Sequence, residues 1–313
     1  MMMKIRRALT VAVLLSGIMA AHAASTIQRK QLLNDGWWFV ENDSNFTKSK
    51  AVTLPHDWSI LHDFDAKAPS GNDGGYLPTG KGWYRRVLTL GKEYAGKKVR
   101  LYFEGVYMNS RVYVNGHEAG GWPYGYSSFW VDVTPYINIG QNEVVVSVDN
   151  SKQKNSRWFS GSGIYRNVWL VTTEKEYIDD WSIRVRTPDV HHVEVSATVI
   201  REDGTTYPIE RKITVENPRL WSPADPYLYH TELMVEGKDR VPVTYGIRTI
   251  SYDAKGGLVL NGKPLKLNGA CVHHDNGIIG AASYDDAEYR KVRLMKEAGF
   301  NALRTSHKPP SEA

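Results

Sequence analysis

The sequence predicts a mainly β protein, with two successive β-sandwiches followed by a strand–helix–strand unit. Three observations carry this reading. Apolar and polar residues alternate over short runs through most of the chain. Clusters of Gly, Asn, Asp and Pro separate those runs. No helical period of useful length precedes residue 284, and one begins at Asp285.

Residues 1–23 have the form of a signal peptide. Lys4, Arg6 and Arg7 form a basic start, Ala8 to Ala20 is mostly apolar, and Ala21-His22-Ala23 is a small-x-small cleavage site. An apolar run of about a dozen residues is too short to span a bilayer. No cysteine follows the cleavage site, so no lipid anchor is expected, and no other segment is apolar enough to cross a membrane. The expected location is bacterial and exported, either periplasmic or extracellular. Cleavage removes three positive charges and no negative ones, so the net charge falls from +5 to +2. That balance gives no electrostatic basis for nucleic-acid binding. Cys271 is the one cysteine, so no intrachain disulfide forms and stability must come from burial.

The first sandwich is read over residues 24–174. Val99, Leu101 and Phe103 alternate with Arg100, Tyr102 and Glu104, which predicts a buried face and an outer face. Asn115-Gly116, after Ser110 to Val114, predicts a two-residue hairpin turn, because both central residues of a type I′ turn need positive φ. Val144, Val146 and Val148 alternate in the next strand, and Asn167 to Thr173 is another. The second, shortened sandwich is read over 175–257. Its candidate strands are Trp181–Thr187, Val193–Ile200, Ile209–Val215, Tyr227–Val235 and Val241–Ile250. Five or six strands is fewer than the seven of a typical immunoglobulin-like sandwich. Residues 258–313 open with a short hairpin through Asn261-Gly262. A strand ending at Val272, a helix from Asp285 stopped by Gly299, and a strand from Phe300 to Arg304 then make a βαβ unit with parallel strands.

Several motifs, in this order and spacing, resemble glycoside hydrolase family 2, and its β-galactosidase-like members in particular. They include Leu54-Pro-His-Asp-Trp58, Gly82-Trp-Tyr-Arg-Arg86, Phe103-Glu-Gly-Val106 and Val112-Tyr-Val-Asn-Gly116. Asn155-Ser-Arg-Trp-Phe-Ser-Gly-Ser-Gly-Ile-Tyr-Arg166, Asn217-Pro-Arg-Leu-Trp-Ser-Pro223 and Tyr245-Gly-Ile-Arg248 follow. Leu260-Asn-Gly-Lys263, Cys271-Val-His-His-Asp275 and Arg304-Thr-Ser-His307 complete the set. The resemblance implies a sugar-binding jelly-roll-like domain, then an immunoglobulin-like domain, then a catalytic (β/α)₈ barrel. Such a barrel takes roughly 250 residues, and 56 run from Leu258 to Ala313.

The resemblance also assigns roles. His273 and His307, at the ends of barrel strands 1 and 2, are expected to hydrogen-bond hydroxyls of a terminal sugar in a β-linked oligosaccharide or glycoside. Arg304 is expected to orient a carboxylate nucleophile, since a guanidinium grips a carboxylate through paired hydrogen bonds. Arg157 is expected to touch substrate from a first-domain loop reaching toward the barrel mouth. Retaining glycosidases need two carboxylates about 5–5.5 Å apart. The family places both on later barrel strands, and no residue here matches either. Glu288 and Glu297 fall on the helix, whose outer face is expected to meet solvent. The chain is therefore expected to be the N-terminal part of such an enzyme, inert alone, with no catalytic residue of its own. A carbohydrate-binding module without activity, or a subunit completed by a separately encoded barrel, stands as an alternative.

No cofactor is expected, and no metal site either, although some complete family members bind magnesium or sodium. His273-His274-Asp275 is not read as a metal cluster, because adjacent strand residues point to opposite faces. Lys308 stands where close relatives usually have asparagine, which puts a cation near the expected sugar subsite. Trp37, Trp38, Trp58, Trp83, Trp169 and Trp221 are read as core, and Trp122-Pro-Tyr-Gly-Tyr126 as a candidate for exposed sugar contact. Sugar identity and oligomeric state stay open at this level.

Overall fold

The computed structural model of the protein describes residues 27–312. The signal peptide read at residues 1–23 lies outside them. Ten strands build the first unit: β1 (Lys30–Leu32), β2 (Trp37–Glu41), β3 (Lys50–Val52), β4 (Lys81–Leu90), β5 (Lys98–Phe103), β6 (Ser110–Val114), β7 (His117–Trp122), β8 (Phe129–Asp132), β9 (Gly140–Asp149) and β10 (Val168–Thr173). They form a six-stranded sheet in the order β3-β2-β4-β9-β6-β7 and a four-stranded sheet in the order β1-β10-β5-β8. The two inner faces enclose one core, in which Trp37, Trp58, Tyr84 and Phe103 are the largest buried rings. The β6–β7 turn has Asn115 at φ 51° and Gly116 at φ 82°, the positive angles that Asn-Gly supplies at low steric cost.

Alternation along β5 does not leave a solvated outer face. Arg100, Tyr102 and Glu104 are buried, as Val99 and Leu101 are, at 3–7 % exposure against 0–1 %. The second unit and the chain's last residues cover them. Arg100 lies 3.8 Å from Asp180 and packs on the rings of Trp130 and Tyr177. Tyr102 stacks on Trp130 and hydrogen-bonds Glu312, and Trp169 Nε1 donates to Glu104 at 2.6 Å. Trp38 is half exposed, because the neighbour of an inward Trp37 on a strand must point outward. Trp83, Trp169 and Trp221 are only partly buried.

The second unit contains β11 (Tyr177–Ile178), β12 (Arg184–Arg186), β13 (His192–Ile200), β14 (Thr206–Thr214), β15 (Tyr229–Val235) and β16 (Asp239–Tyr245). β13 pairs with β14 on one side and with β11 and β12 on the other, while β15 and β16 form a facing hairpin. Val193, Val195, Ala197 and Val199 of β13 meet Leu233, Val241 and Val243 in a separate core. Six strands, two of them short, make this a reduced sandwich. Arg29 ties it to the first unit, bonding Asp180 at 2.6 Å and Asp239 at 2.8 Å.

β17 (Ile250–Asp253) leaves the sandwich and pairs with β18 (Gly257–Leu260), which pairs with β19 (Lys263–Pro264). The strand predicted to run from Val241 to Ile250 is therefore split, with β16 ending at Tyr245. β20 (Gly269–Val272), α1 (Asp285–Glu297) and β21 (Ala302–Thr305) follow. β20 and β21 are parallel, with Cys271 opposite Arg304. Asp285, Asp286 and Glu288 favour the N-terminal end of the α1 dipole, and Gly299 at φ 91° ends the helix. Together these elements are a jelly-roll-like sandwich, a shortened immunoglobulin-like sandwich and the opening βαβ unit of a barrel. Among the described residues no helix is long and apolar enough to cross a membrane.

Candidate functional site

The C-terminal ends of β20 and β21 meet the 150–166 loop of the first unit, and Asp57 joins the two. This carboxylate is buried and accepts three backbone N–H bonds, from Ser59 at 3.0 Å, Ser162 at 2.9 Å and Ala281 at 2.9 Å. Burial pushes its carboxyl up, and the three donors oppose that shift. A Cβ at Gly280 would stand 2.4 Å from Asp57 Oδ2, and one at Gly161 2.7 Å from it, so both glycines are needed for this close approach. Ser283 N–H donates to the Tyr165 carbonyl at 2.8 Å, and Tyr284 donates to the Pro55 carbonyl at 3.0 Å. The strand ends are thus fixed to the first unit by buried bonds on several sides.

On this base the histidines diverge. His274 is buried and its Nε2–H donates to the Ser160 carbonyl at 3.0 Å, with burial pulling its pKa down to about 3. His273 points the other way, toward Trp158 and His307. The His273 and Trp158 ring centres are 5.8 Å apart, those of Trp158 and His307 5.1 Å and stacked, and those of His273 and His307 6.0 Å. His307 is exposed and holds φ 64°, a strained value for a non-glycine residue, so the chain turns sharply as β21 ends. Two histidines and an indole therefore converge at the ends of two parallel strands, His307 stacked on the Trp158 ring and His273 set edge-on to both.

The other expected residues stand around this cluster. Arg304 is exposed, with Nη1 at 3.5 Å from Cys271 Sγ, and hydrogen bonding from Arg304 and Ser306 draws that thiol down. Arg157 is exposed beside Trp158 on the same loop, with no hydrogen bond among the described residues. Sequence reasoning passed over Trp158, which carries the contact between loop and strand ends; its place between Arg157 and Phe159 in the quoted motif was the available signal. Glu288 does not face solvent. It accepts from Asn276 at 2.9 Å, Ser283 at 2.9 Å and Lys291 at 3.1 Å, because the first turn of α1 leans on the loop after β20.

Lys308 is not in the open part of the cluster. It is 6 % exposed and lies behind the histidines, with Nζ 3.1 Å from His273 Nδ1, 4.4 Å from the Trp158 ring and 5.0 Å from the Tyr126 ring. The predicted Trp122–Tyr126 contact segment divides in the same way. Trp122 and Tyr124 are exposed, whereas Tyr126 is buried and accepts from Trp158 Nε1 at 2.9 Å. A cleft of about 840 Å³ lies elsewhere, between the sandwiches beside Arg29 and Lys238. It is lined with both acids and bases and has no cluster comparable to the histidines. Among the described residues no three His, Cys, Asp or Glu side chains gather in one place.

Three family profiles match the chain consecutively. "Glycosyl hydrolases family 2, sugar binding domain" matches residues 19–174, "Glycosyl hydrolases family 2" matches 170–248, and "Glycosyl hydrolases family 2, TIM barrel domain" matches 254–313. The chain belongs to glycoside hydrolase family 2. A β-galactosidase of Bacteroides ovatus is 39% identical over 87% of this chain and 36% of its own length. A putative β-glucuronidase of Formosa agariphila is 32% identical over 88% of this chain and 30% of its own. The crystal structure of a family 2 member from Bacteroides cellulosilyticus superposes with a TM-score of 0.81, at 34% identity, over 91% of this chain and 44% of that one. The chain thus spans about a third of the length of these curated family 2 relatives.

Proposed function

We propose that this chain is the substrate-holding part of an exported, retaining β-glycosidase of galactosidase type. On this reading residues 24–174 are the sugar-binding domain, 175–257 the immunoglobulin-like domain, and 258–313 the start of the catalytic barrel. His273 and His307 hydrogen-bond hydroxyls of the terminal sugar, and Trp158 supports them by stacking on His307. Arg157 borders the entrance. Arg304 orients a glutamate nucleophile that the family resemblance assigns to a later barrel strand. The observation that supports this most is the convergence of His273, His307 and Trp158, with ring centres 5.1–6.0 Å apart, where two parallel strands end.

The division of labour follows from the chemistry. Retention takes one carboxylate to attack the anomeric carbon and a second to protonate the leaving oxygen and then activate water. Glu288 cannot supply either, because its oxygens are taken by Asn276, Ser283 and Lys291. The 313-residue chain alone is therefore proposed to hold sugar without cleaving it. Incubation of the purified chain with a chromogenic β-galactoside should release no dye above a blank, and clear turnover would contradict this assignment.

A β-glucuronide is the second reading, favoured by the β-glucuronidases among the relatives. Calorimetric titration with galactose and with glucuronate separates the two, and tighter binding of glucuronate would displace the galactoside. Export is tested by sequencing the N-terminus of secreted protein, which should begin at Ala24.

A further inference from the structure

Lys308 is a buried cation whose environment contains ring faces rather than an ion-paired carboxylate. The faces of Trp158 and Tyr126 lie 4.4 and 5.0 Å from its Nζ, and cation–π attraction of this kind strengthens when water is excluded. The charged and titratable groups around Lys308 and His273 are Asp275, Arg166, His274, His307, Glu288 and Lys291. The one polar side-chain neighbour of Lys308 within hydrogen-bond range among the described residues is His273 Nδ1, at 3.1 Å. A lysine ammonium has three hydrogens and no lone pair, so this bond forms only when Nδ1 carries no proton. Lys291 Nζ meanwhile bonds the His273 carbonyl at 3.3 Å, which holds the same residue from the backbone side.

We propose that Lys308 is a positioning residue that fixes His273 as its Nε2–H tautomer, so that this histidine meets the sugar as a hydrogen-bond donor. An asparagine at this place could offer Nδ1 either an N–H or an oxygen, and would leave both tautomers open. A lysine can only donate. Burial lowers the pKa of His273, and the Lys308 charge adds to that; protonating Nδ1 would also set an N–H against the ammonium, so the contact helps keep the ring neutral. Burial draws the Lys308 amine down to about 8, which leaves it mostly charged near neutral pH. The direction of the bond to sugar follows. His273 Nε2–H donates to a hydroxyl oxygen, and that hydroxyl keeps its own proton for another acceptor.

The proposal rests on the reading of this cluster as a sugar subsite, but its test does not need sugar. The full chain, labelled with ¹⁵N-histidine, is examined near neutral pH by long-range ¹H–¹⁵N correlation, with assignment by His273→Gln. His273 should show an unprotonated Nδ1 and a protonated Nε2. Lys308→Met should mix the two tautomers and raise the His273 titration midpoint by roughly one pH unit. Lys308→Arg, which like lysine can only donate, should restore the wild-type pattern, whereas Lys308→Gln should leave the tautomers mixed. A protonated Nδ1 in the wild type, or an unchanged tautomer in Lys308→Met, overturns the proposal. If Lys308→Met does not fold, the wild-type spectrum alone decides. Adding excess galactose then tests the underlying subsite. A displaced His273 Nε2 resonance supports it, and an unmoved one removes the subsite while leaving the tautomer assignment standing.

Discussion

Asp57→Asn isolates one of the bonds that hold the barrel segment to the first sandwich. Oδ1 of Asp57 accepts from Ser59 and Ser162, both in the first unit, and Oδ2 accepts from Ala281 in the loop after β20. An asparagine placed with its oxygen where two donors converge keeps both intra-unit bonds and turns an NH₂ toward Ala281 N–H. The Ala281 amide then becomes a buried donor facing a donor, at a cost of roughly 1–3 kcal/mol. Taking about 2 kcal/mol, local opening of the 277–282 loop should become about 30-fold more frequent. Native-state hydrogen exchange followed residue by residue reads this directly. Ala281 and its neighbours should lose protection by about that factor, whereas Ser162 should change little. Unchanged protection at Ala281 would refute the reasoning, because the bond would then contribute nothing to docking. Equal loss at Ala281 and Ser162 would refute it differently, by showing that the two units open as one.

Other perturbations follow from the same structure. Gly280→Ala should lower the urea midpoint by the equivalent of about 2 kcal/mol or more, since φ is 61° and the new Cβ meets Asp57 Oδ2 at 2.4 Å. Gly277→Ala, at φ 64° with open space around it, should cost only about 1 kcal/mol, and equal costs would show that the Asp57 contact is irrelevant. Arg29→Met leaves Asp239 buried without its guanidinium and should destabilise the junction between sandwiches by about 3 kcal/mol. Calorimetry should show one melting transition separating into two, and an unaltered single transition would count against the clamp. Acid should weaken the fold through His56 and His274, whose folded pKa values are lowered to about 4 and about 3 while the unfolded values stay near 6.5. Below pH 6.5 the unfolded chain binds protons that the folded chain refuses, so stability falls with pH down to about those values. The slope should approach ~1.4 kcal/mol per pH unit for each histidine. His274→Gln should make the denaturation midpoint depend less steeply on pH, and an identical dependence would rule out His274 as a source.

Much of this architecture was legible because it depends on local rules. Strict alternation marks β9 and β13, Asn115-Gly116 specifies its turn, and Gly299 ends α1 where the apolar period stops. The burial of Arg100, Tyr102 and Glu104 was not legible. Their outward parity is correct, but what covers that face is the second unit and residues near 312, more than 70 positions away in the chain. Within the site, the resemblance put His273 and His307 at neighbouring strand ends, but β20 stops at Val272, so the divergence of His273 and His274 is set by their partners beyond the strand rather than by strand parity. Three features needed tertiary structure. Trp158 looked like one aromatic in a motif, Glu288 looked solvated because helix α1 has an exposed side, and Lys308 was read only as a cation near the sugar subsite. Each takes its role from a partner on another element: the histidine rings for Trp158, Asn276 and Ser283 for Glu288, and the rings of Trp158 and Tyr126 for Lys308.

The most direct measurement joins residues 1–313 to the remaining barrel of the Bacteroides ovatus β-galactosidase and compares kcat/KM for chromogenic β-galactoside and β-glucuronide. If residues of this chain hold the terminal sugar, the folded chimera hydrolyses the galactoside in preference. His273→Ala and His307→Ala should each lower kcat/KM for it by roughly 10- to 100-fold, the loss of one or two hydrogen bonds to sugar. Preference for the glucuronide, or full activity in both histidine variants, would contradict the account.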